Sequence, residues 1–597
     1  MLTPTPTANE TLPFRTADFA TLAEGLDYAA RGATGVNFFS ARGEIATALP
    51  YAELRLRALE LAARLPSAGL ARGDRVGIIA ETTPEFLIAF FACQYGGLVP
   101  VPLPLCINFG GRDAYVERLR GMLQSARARA AIGPAELAGQ LQQAAIGTLA
   151  SFVGTHEELA ALPAARPFEA LGAGEPCYIQ YSSGSTSFPR GVLVTQEAIT
   201  ANARAIAEHG LALRPGDRCT SWLPLYHDMG LVGCCLTPAL TQISVDYIAT
   251  TSFARRPMVW LKVLSEQKGT ISFSPTFGFE LCARRAANGL AESFDLSAWR
   301  VAGIGGEMIR PKALDEFART FAASGFDASA YLPSYGLAEA TLAVSFSRLE
   351  TGVKVDCIDL GEDFERRRLA RPVRPDQAHG RRTRAFVVCG KPMPGYRIEV
   401  RDDLGRPLPE RNVGRVCIQG PSLMTGYFRN PEASRAVLLA DGWLDSGDMG
   451  YMVDGELVIT GRSKDLIILN GRNIWPQDIE WAVEKVEGVR AGDVAAFAVT
   501  GEDDQEQLVT VVQCRLGDGA AQEKLRREVH ATVQRLAGAD SEVLLVPPRS
   551  LTFTTSGKLS RAAAKASFLE GALRDLDELP TVLEPLRREA RPLAVAS

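Results

Sequence analysis

Short runs of β-branched residues alternate with helical spacings through the first three hundred residues. "RVGIIA" at 75–80 reads as a strand, "PEFLIAFFACQYGG" from Pro84 as a helix, and "LVPVPL" from Leu98 as the next strand. Strands separated by helices of this length predict an α/β architecture with largely parallel sheets, because parallel neighbours need a crossover that a helix supplies. Farther on, "FVVCGKPMPGYRIEV" at 386–400 and "GRVCIQGPSLMTGYF" at 414–428 form a β-rich stretch punctuated by Gly and Pro turns. The pattern changes once more after "GELVITGRSKDLIILNGRNIWPQDIE". Ile479, Ala482, Val483 and Val486 then lie on one face of a helix that starts at Pro476, and Leu525, Val529, Val533 and Leu536 on one face of another. With strand-like "VAAFAV", "QLVTVVQC" and "EVLLVP" they make a small αβ unit. The expected fold is therefore α/β: a large multi-subdomain N-terminal domain over 1–462, with mixed sheets and a β-rich part, and a small mobile αβ C-terminal domain over 463–597. The charged segment 351–384, "DLGEDFERRRLARPVRPDQAHGRRTR" at its centre, reads either as a solvated surface loop or as a specific insertion. The tail from Pro580 is expected to be loosely held.

Composition narrows the class. Apolar residues make up 46% and charged residues 22% of 597, the balance of an ordinary globular protein. Asp and Glu outnumber Lys and Arg by 69 to 64, which argues against a nucleic-acid partner. The eleven cysteines form no C-x-x-C pair and the five histidines no H-x-x-x-H pair, so reduced core thiols in a cytoplasmic enzyme are expected and a zinc site is not. "MLTPTPTANETLPF" has no basic or apolar leader region. The longest uncharged run, Met229 to Val245, is broken by Pro238 and does not read as a membrane span.

One loop stands out. "YSSGSTSFPRG" at 181–191 lies between strand-like "CYIQY" and "GVLVT", the latter feeding a helix that Gly210 would end. Gly184 and Gly191 let consecutive N–H groups converge on one anion; Ser183, Ser185, Thr186 and Ser187 add hydroxyl donors, and Arg190 adds full charge. That is the chemistry of a polyphosphate cradle, although a serine-rich turn between strands can also be only a turn. It is not a Walker loop, since Val192 follows Gly191; the chain holds no G-x-S-x-G; and the run from Gly303 to Met308 lacks the third glycine of a dinucleotide fingerprint.

Further stretches in fixed order resemble the adenylate-forming superfamily of acyl-CoA synthetases, luciferases and peptide-synthetase adenylation domains, over about residues 40 to 565. "YSSGSTSFPRG" is similar to its phosphate loop, "YGLAEAT" at 335–341 to its adenine and magnesium segment, and "SGD" at 446–448 to its ribose aspartate. "GRSKD" at 461–465 is similar to its hinge and "TTSGKLSR" at 554–561 to its catalytic-lysine loop. "LPLYHDMGL" at 223–231, "LPSYGLAEATL" at 332–342, "CGKPMPG" at 389–395 and "KDLIILNGRNIWPQDIE" at 464–480 resemble the fatty acyl-AMP ligases, in which an insertion at the position of 351–384 disfavours coenzyme A as acceptor.

The resemblance implies ATP, released as AMP, and Mg2+ as cofactors, a fatty acid as substrate and a phosphopantetheinylated acyl carrier protein as partner. Its nucleotide-binding residues fall on Ser183, Gly184, Ser185, Thr186, Gly306, Glu307, Tyr335, Gly336, Asp448 and Arg462. Arg190 would neutralise the departing phosphates where many relatives carry Lys, with a planar fork in place of a point charge. Glu339 would hold magnesium, a hard ion that favours carboxylate oxygen; a helix-start glutamate is the plain alternative. Tyr335 would offer its face to adenine or be a core tyrosine, and Asp448 would accept from both ribose hydroxyls or be a turn aspartate. Lys558 would stabilise charge building between carboxylate and α-phosphate, unless it is a surface lysine. His227, followed by Asp228, would gate the acyl pocket, Lys464 would be the hinge and Gly471 would let the thiol arm pass. "SFSPTFGFEL" at 272–281 would wall that pocket or form a core strand. Ala338 stands where many relatives have a phosphate-contacting threonine, and Thr341 lies too far along to replace it.

Rival readings are an acyl-CoA synthetase of the same fold, an amino-acid adenylating enzyme in which Asp228 would pair with an α-amino group, and a non-catalytic nucleotide-binding interaction protein.

Overall fold

The computed structural model describes residues 3–7, 12–105, 111–182, 189–286, 293–374, 376, 379–469, 471–500, 506–554 and 559–578. The chain divides into a large unit, mainly Met1–Leu466 with Gly471–Trp475, and a small unit, mainly Pro476–Thr552.

A nine-stranded sheet organises the large unit. Six of its strands run parallel in the order Gly35–Phe39, Ser244–Ile248, Arg218–Ser221, Ile271–Ser274, Val301–Ile304 and Tyr331–Gly336. Antiparallel Ile45–Pro50 closes one side, and Ala343–Phe346 followed by Lys391–Pro392 closes the other. A second, four-stranded parallel sheet contains Val99–Leu103, Arg75–Ile79, Ala130–Gly133 and Phe152–Thr155. Pro100 and Pro102 are confined to its edge strand, where no ladder donor is missed. The β-rich part is a four-stranded antiparallel sheet, Arg397–Arg401, Gly414–Gln419, Leu444–Val453 and Glu456–Arg462. Mixed parallel and antiparallel sheets are thus what the alternating pattern and the later Gly/Pro punctuation predict.

Two sequence-based expectations change. "SFSPTFGFEL" is not one strand: Ile271–Ser274 is, but Pro275 ends it and Thr276–Ala286 is helical, with Phe279 and Cys282 buried. The segment 351–384 is no solvated loop either. Val355–Asp359 pairs antiparallel with Thr383–Val387, and Ile358, Leu360, Phe364, Ala370 and Phe386 share one apolar cluster with Tyr451, Val458 and Trp475. Dispersed among arginines, those few apolar residues show no period in sequence; ion pairs such as Arg381–Asp359 (3.0 Å) and Arg411–Asp356 (3.0 Å) accommodate the charges around them.

The small unit carries the strands Val494–Thr500, Glu506–Gln513 and Ser541–Val546 in that order, the first pair antiparallel and the second parallel. Gly519–Ala537 packs Leu525, Val529, Val533 and Ala537 inward; Leu536 sits half-buried at the margin of that face. In the helix Pro476–Val483, Ile479 and Val483 are buried and Ala482 is half-buried. The uncharged run from Met229 breaks into the π-helical turns Met229–Leu236, the helix Thr237–Leu240 and the strand Ser244–Ile248. No described helix is long and apolar enough to cross a membrane.

Candidate active site

The strands flanking the serine-rich loop form an antiparallel pair, Pro176–Tyr181 with Gly191–Thr195, closed at the loop's base by Ser182 N donating to the Arg190 carbonyl at 2.9 Å. Ser183, Gly184, Ser185 and Thr186 lie outside the described residues, as does Lys558. The outgoing strand lies against a second segment: Val192 bridges Tyr427, Leu193 N donates to Gly426 O (3.1 Å) and Phe428 N to Gly191 O (2.7 Å). That register sets the Arg190 guanidinium 5.2 Å from the centre of the Tyr427 ring, within cation–π range.

Tyr427 also reaches the other side of the site. Its hydroxyl donates to Glu339 Oε1 at 2.8 Å. Glu339 lies in a 3₁₀ turn, Ala338–Ala340, inside the loop that joins Tyr331–Gly336 to its antiparallel neighbour Ala343–Phe346. The loop can fold back only because residue 336 is glycine; a Cβ there would sit 1.8 Å from the Leu342 carbonyl oxygen. Burial pushes the Glu339 carboxyl above the usual carboxylate range, the Tyr427 bond and the Arg462 charge pull it back, and the Asp228 carboxylate raises it.

A third cluster meets the same strand. Tyr335, buried at the end of Tyr331–Gly336, donates through its hydroxyl to Asp448 Oδ2 at 2.8 Å, and Arg462 Nε lies 3.2 Å from Asp448 Oδ1. Asp448 and Arg462 are register partners on the antiparallel strands Leu444–Val453 and Glu456–Arg462, so sheet pairing itself brings them together. Asp448 is buried within a strand, which sets aside the turn-aspartate alternative. Tyr427 thereby joins Arg190 to Glu339, Asp448 joins Tyr335 to Arg462, and the Tyr331–Gly336 strand and the loop after it carry a member of each group.

The AMP-binding enzyme family profile matches residues 33–428. The chain belongs to that family. A Caulobacter vibrioides protein named "Putative acyl-CoA synthetase" is 47% identical over 96% of this chain and 99% of its own length. The medium-chain-fatty-acid--[acyl-carrier-protein] ligase JamA of Moorena producens is 30% identical over 93% and 96%. A solved structure from a study of fatty acyl-adenylate ligases of E. coli and L. pneumophila superposes with a TM-score of 0.89 at 44% identity, covering 94% of this chain and all of that one. The adenylate-forming fold and the likeness to fatty acyl-AMP ligases expected from the motifs are therefore found.

The other residues singled out by resemblance to the AMP-binding enzymes are distributed around this framework. Gly306, with φ of +81°, follows the strand Val301–Ile304, and Glu307 Oε1 accepts from Phe277 N at 3.1 Å, where the helix Thr276–Ala286 begins. His227 is half-buried with its ring 5.2 Å from that of Tyr226; its carbonyl accepts from Leu231 N at 2.7 Å as the π-helical turns begin. Asp228 Oδ1 accepts from Met229 N at 2.7 Å. Lys464 is exposed in the 3₁₀ turn Ser463–Asp465, and Gly471 has a φ of +71°. The Thr341 hydroxyl donates to the Ser422 carbonyl at 2.8 Å and is buried, so it is not presented to a phosphate. Sequence reasoning missed Tyr427. Its "TGYF" context carries no chemical signature, and only the pairing with Gly191–Thr195 places it between Arg190 and Glu339.

Proposed function

We propose that the protein activates a medium or long fatty acid with ATP and passes it to the phosphopantetheine thiol of a separate acyl carrier protein. In the first step a carboxylate oxygen bonds to the α-phosphorus, the bond from that phosphorus to the β-bridging oxygen breaks, and pyrophosphate leaves. In the second the thiol displaces AMP. The observation that carries this reading is the Tyr427 bridge, which sets a guanidinium and a half-buried carboxylate on one aromatic side chain beside the strand leaving the serine-rich loop.

Two anions must meet, so cationic and N–H groups have to be in place beforehand. In this reading Arg190 and the donors of the loop Ser183–Ser187 take the β- and γ-phosphates, Tyr335 lies against the adenine, and Asp448 accepts from the ribose with Arg462 beside it. Gly306, Glu307 and Gly336 line the nucleotide. Glu339 fits magnesium. Tyr427 engages only Oε1 of the half-buried Glu339 carboxyl, and a hard carboxylate oxygen suits an ion that keeps water and phosphate oxygens as its other ligands. When bound, the ion neutralises phosphate charge. Lys558 stabilises the transition state, His227 gates the acyl entrance, and the chain turns at Lys464, between domains 1–462 and 463–597, so that the thiol arm passes Gly471.

A carrier as acceptor is favoured by the relative named for acyl-carrier-protein ligation and by the folded insertion 351–384. The Caulobacter relative favours coenzyme A as the second reading. We place the protein in the cytoplasm, in keeping with the free thiols of its described cysteines.

A panel of free acids with ATP and Mg2+, assayed for acyl-AMP and then given either coenzyme A or a phosphopantetheinylated carrier, tests both steps. Efficient acyl-CoA turnover would select the second reading. Lys558→Ala should abolish acyl-AMP formation while ATP binding persists, and full adenylation by that variant sinks the assignment.

A further inference from the structure

Two residues beyond Glu339 the backbone is strained. Thr341 has φ of 70° and ψ of −56°, and Leu342 N donates to Ala340 O at 2.9 Å. That is a γ-turn of the rare strained hand, centred on a β-branched residue, which avoids positive φ more strongly than most. Such a conformation persists only where its surroundings over-determine it.

The surroundings do so from two directions. From one segment, Ser422 O accepts from Thr341 Oγ1 (2.8 Å), Ser422 Oγ donates to Ala340 O (2.8 Å) and Met424 N donates to Glu339 O (2.8 Å). From the helix Gln196–Ala205, Asn202 Nδ2 donates to Ala343 O (2.8 Å) and Tyr396 Oη (2.8 Å) and lies 3.1 Å from Ser422 Oγ, while Asn202 Oδ1 accepts from Ala343 N (3.1 Å). Tyr396 Oη donates to Ser422 Oγ at 2.6 Å, since the Ser422 hydrogen goes to Ala340 O. Asn202 and Ser422 are 0% exposed and Thr341 1%. Within five residues Ser422 is followed by Tyr427, whose hydroxyl holds the Glu339 carboxylate and whose backbone lies on the strand leaving the serine-rich loop. Glu339 is gripped at its carbonyl, its carboxylate and the peptide units after it.

We propose that Asn202, Ser422 and Thr341 are positioning residues, which lock the strained turn and thereby fix Glu339 against the phosphate-loop strand before nucleotide and metal arrive. The proposal rests on the functional reading above. A buried network whose only task was folding would have no use for strain beside an acidic residue, since a glycine at 341 would satisfy the same backbone bonds without it. Pre-set placement matters because an ion held by one carboxylate has its position decided by that carboxylate.

The test compares Thr341→Gly, which relieves the strain and removes the hydroxyl, with Thr341→Ala, which removes the hydroxyl only, and with Ser422→Ala. Melting temperature, calorimetric ATP affinity with and without Mg2+, amide exchange across 338–343, and kcat and KM for acyl-AMP formation are measured. Thr341→Gly is expected to melt no lower than Thr341→Ala. Its amides across the turn exchange faster, the gain in ATP affinity from Mg2+ falls about tenfold, kcat falls at least as much, and KM for the fatty acid is unchanged. Ser422→Ala shifts the same quantities in the same direction. Mg2+ gain and kcat within about twofold of the wild type in Thr341→Gly, or losses in all three that merely follow the folded fraction, overturn the proposal. A wild-type protein that forms no acyl-AMP overturns the functional reading and this one with it; active wild type with indifferent variants overturns this one alone.

Discussion

Tyr427→Phe isolates one hydroxyl. The ring stays, so its stacking with the Arg190 guanidinium at 5.2 Å stays, while the 2.8 Å bond to Glu339 Oε1 is lost together with the hydroxyl's own contact with Arg190. A hydrogen bond to a charged acceptor contributes about 1.5–3 kcal/mol, and Glu339 lies where burial already pushes its carboxyl upward. If half of that loss appears as stability, the large unit weakens by about 1 kcal/mol, enough to see by calorimetric melting. The remainder falls on catalysis, because a Glu339 no longer held at Oε1 holds its ligand less well. At about 1.4 kcal/mol per tenfold, that remaining half, about 0.75–1.5 kcal/mol, corresponds to a loss of roughly 3- to 12-fold in kcat/KM for MgATP. Pyrophosphate release at varied MgATP, with saturating fatty acid, measures it. A variant that melts with the wild type and keeps its kcat/KM within a factor of two would show that the Tyr427–Glu339 bond does nothing for the site, and the reasoning that joins Arg190 to Glu339 through Tyr427 would fail.

Two further outcomes are expected. Asp448→Asn preserves volume but leaves Tyr335 and Arg462 without their charged acceptor, so KM for ATP should rise about tenfold while KM for the fatty acid holds; equal ATP kinetics would remove Asp448 from the nucleotide site. In the small unit, buried Glu480 takes half-buried Arg561 Nε at 2.7 Å and Nη2 at 2.6 Å, and accepts from Ala496 N at 3.1 Å. Glu480→Gln removes the charge from that guanidinium's acceptor and should destabilise the small unit by about 1.5–3 kcal/mol, read by hydrogen exchange across Val494–Thr500; unchanged protection would contradict it.

The α/β alternation, the β-rich stretch and the small αβ unit were legible because strand-like runs and helices such as Pro84–Tyr95 and Gly519–Ala537 follow one another along the chain. Thr341 shows where legibility stops: in sequence it is one more hydroxyl in a loop, and only its dihedrals reveal a strained turn, because φ is imposed by bonds from Asn202 and Ser422, 139 residues before it and 81 after. Glu339, Asp448 and Arg462 were singled out by their place in ordered motifs, yet nothing in those motifs says that Tyr427 stands between Arg190 and Glu339.

The sequence by itself determined which chemistries were available: a donor-rich loop, isolated carboxylates, single cations and apolar faces of period two or 3.6, all properties of neighbouring residues along the chain. Tertiary structure alone decided which of these touch. Antiparallel register puts Asp448 opposite Arg462, the bridge at Val192 brings Tyr427 to Arg190, and the apolar cluster around Phe364 and Tyr451 folds the arginine-rich segment. Contacts between residues so far apart depend on sheet register and packing, which local periodicity does not encode.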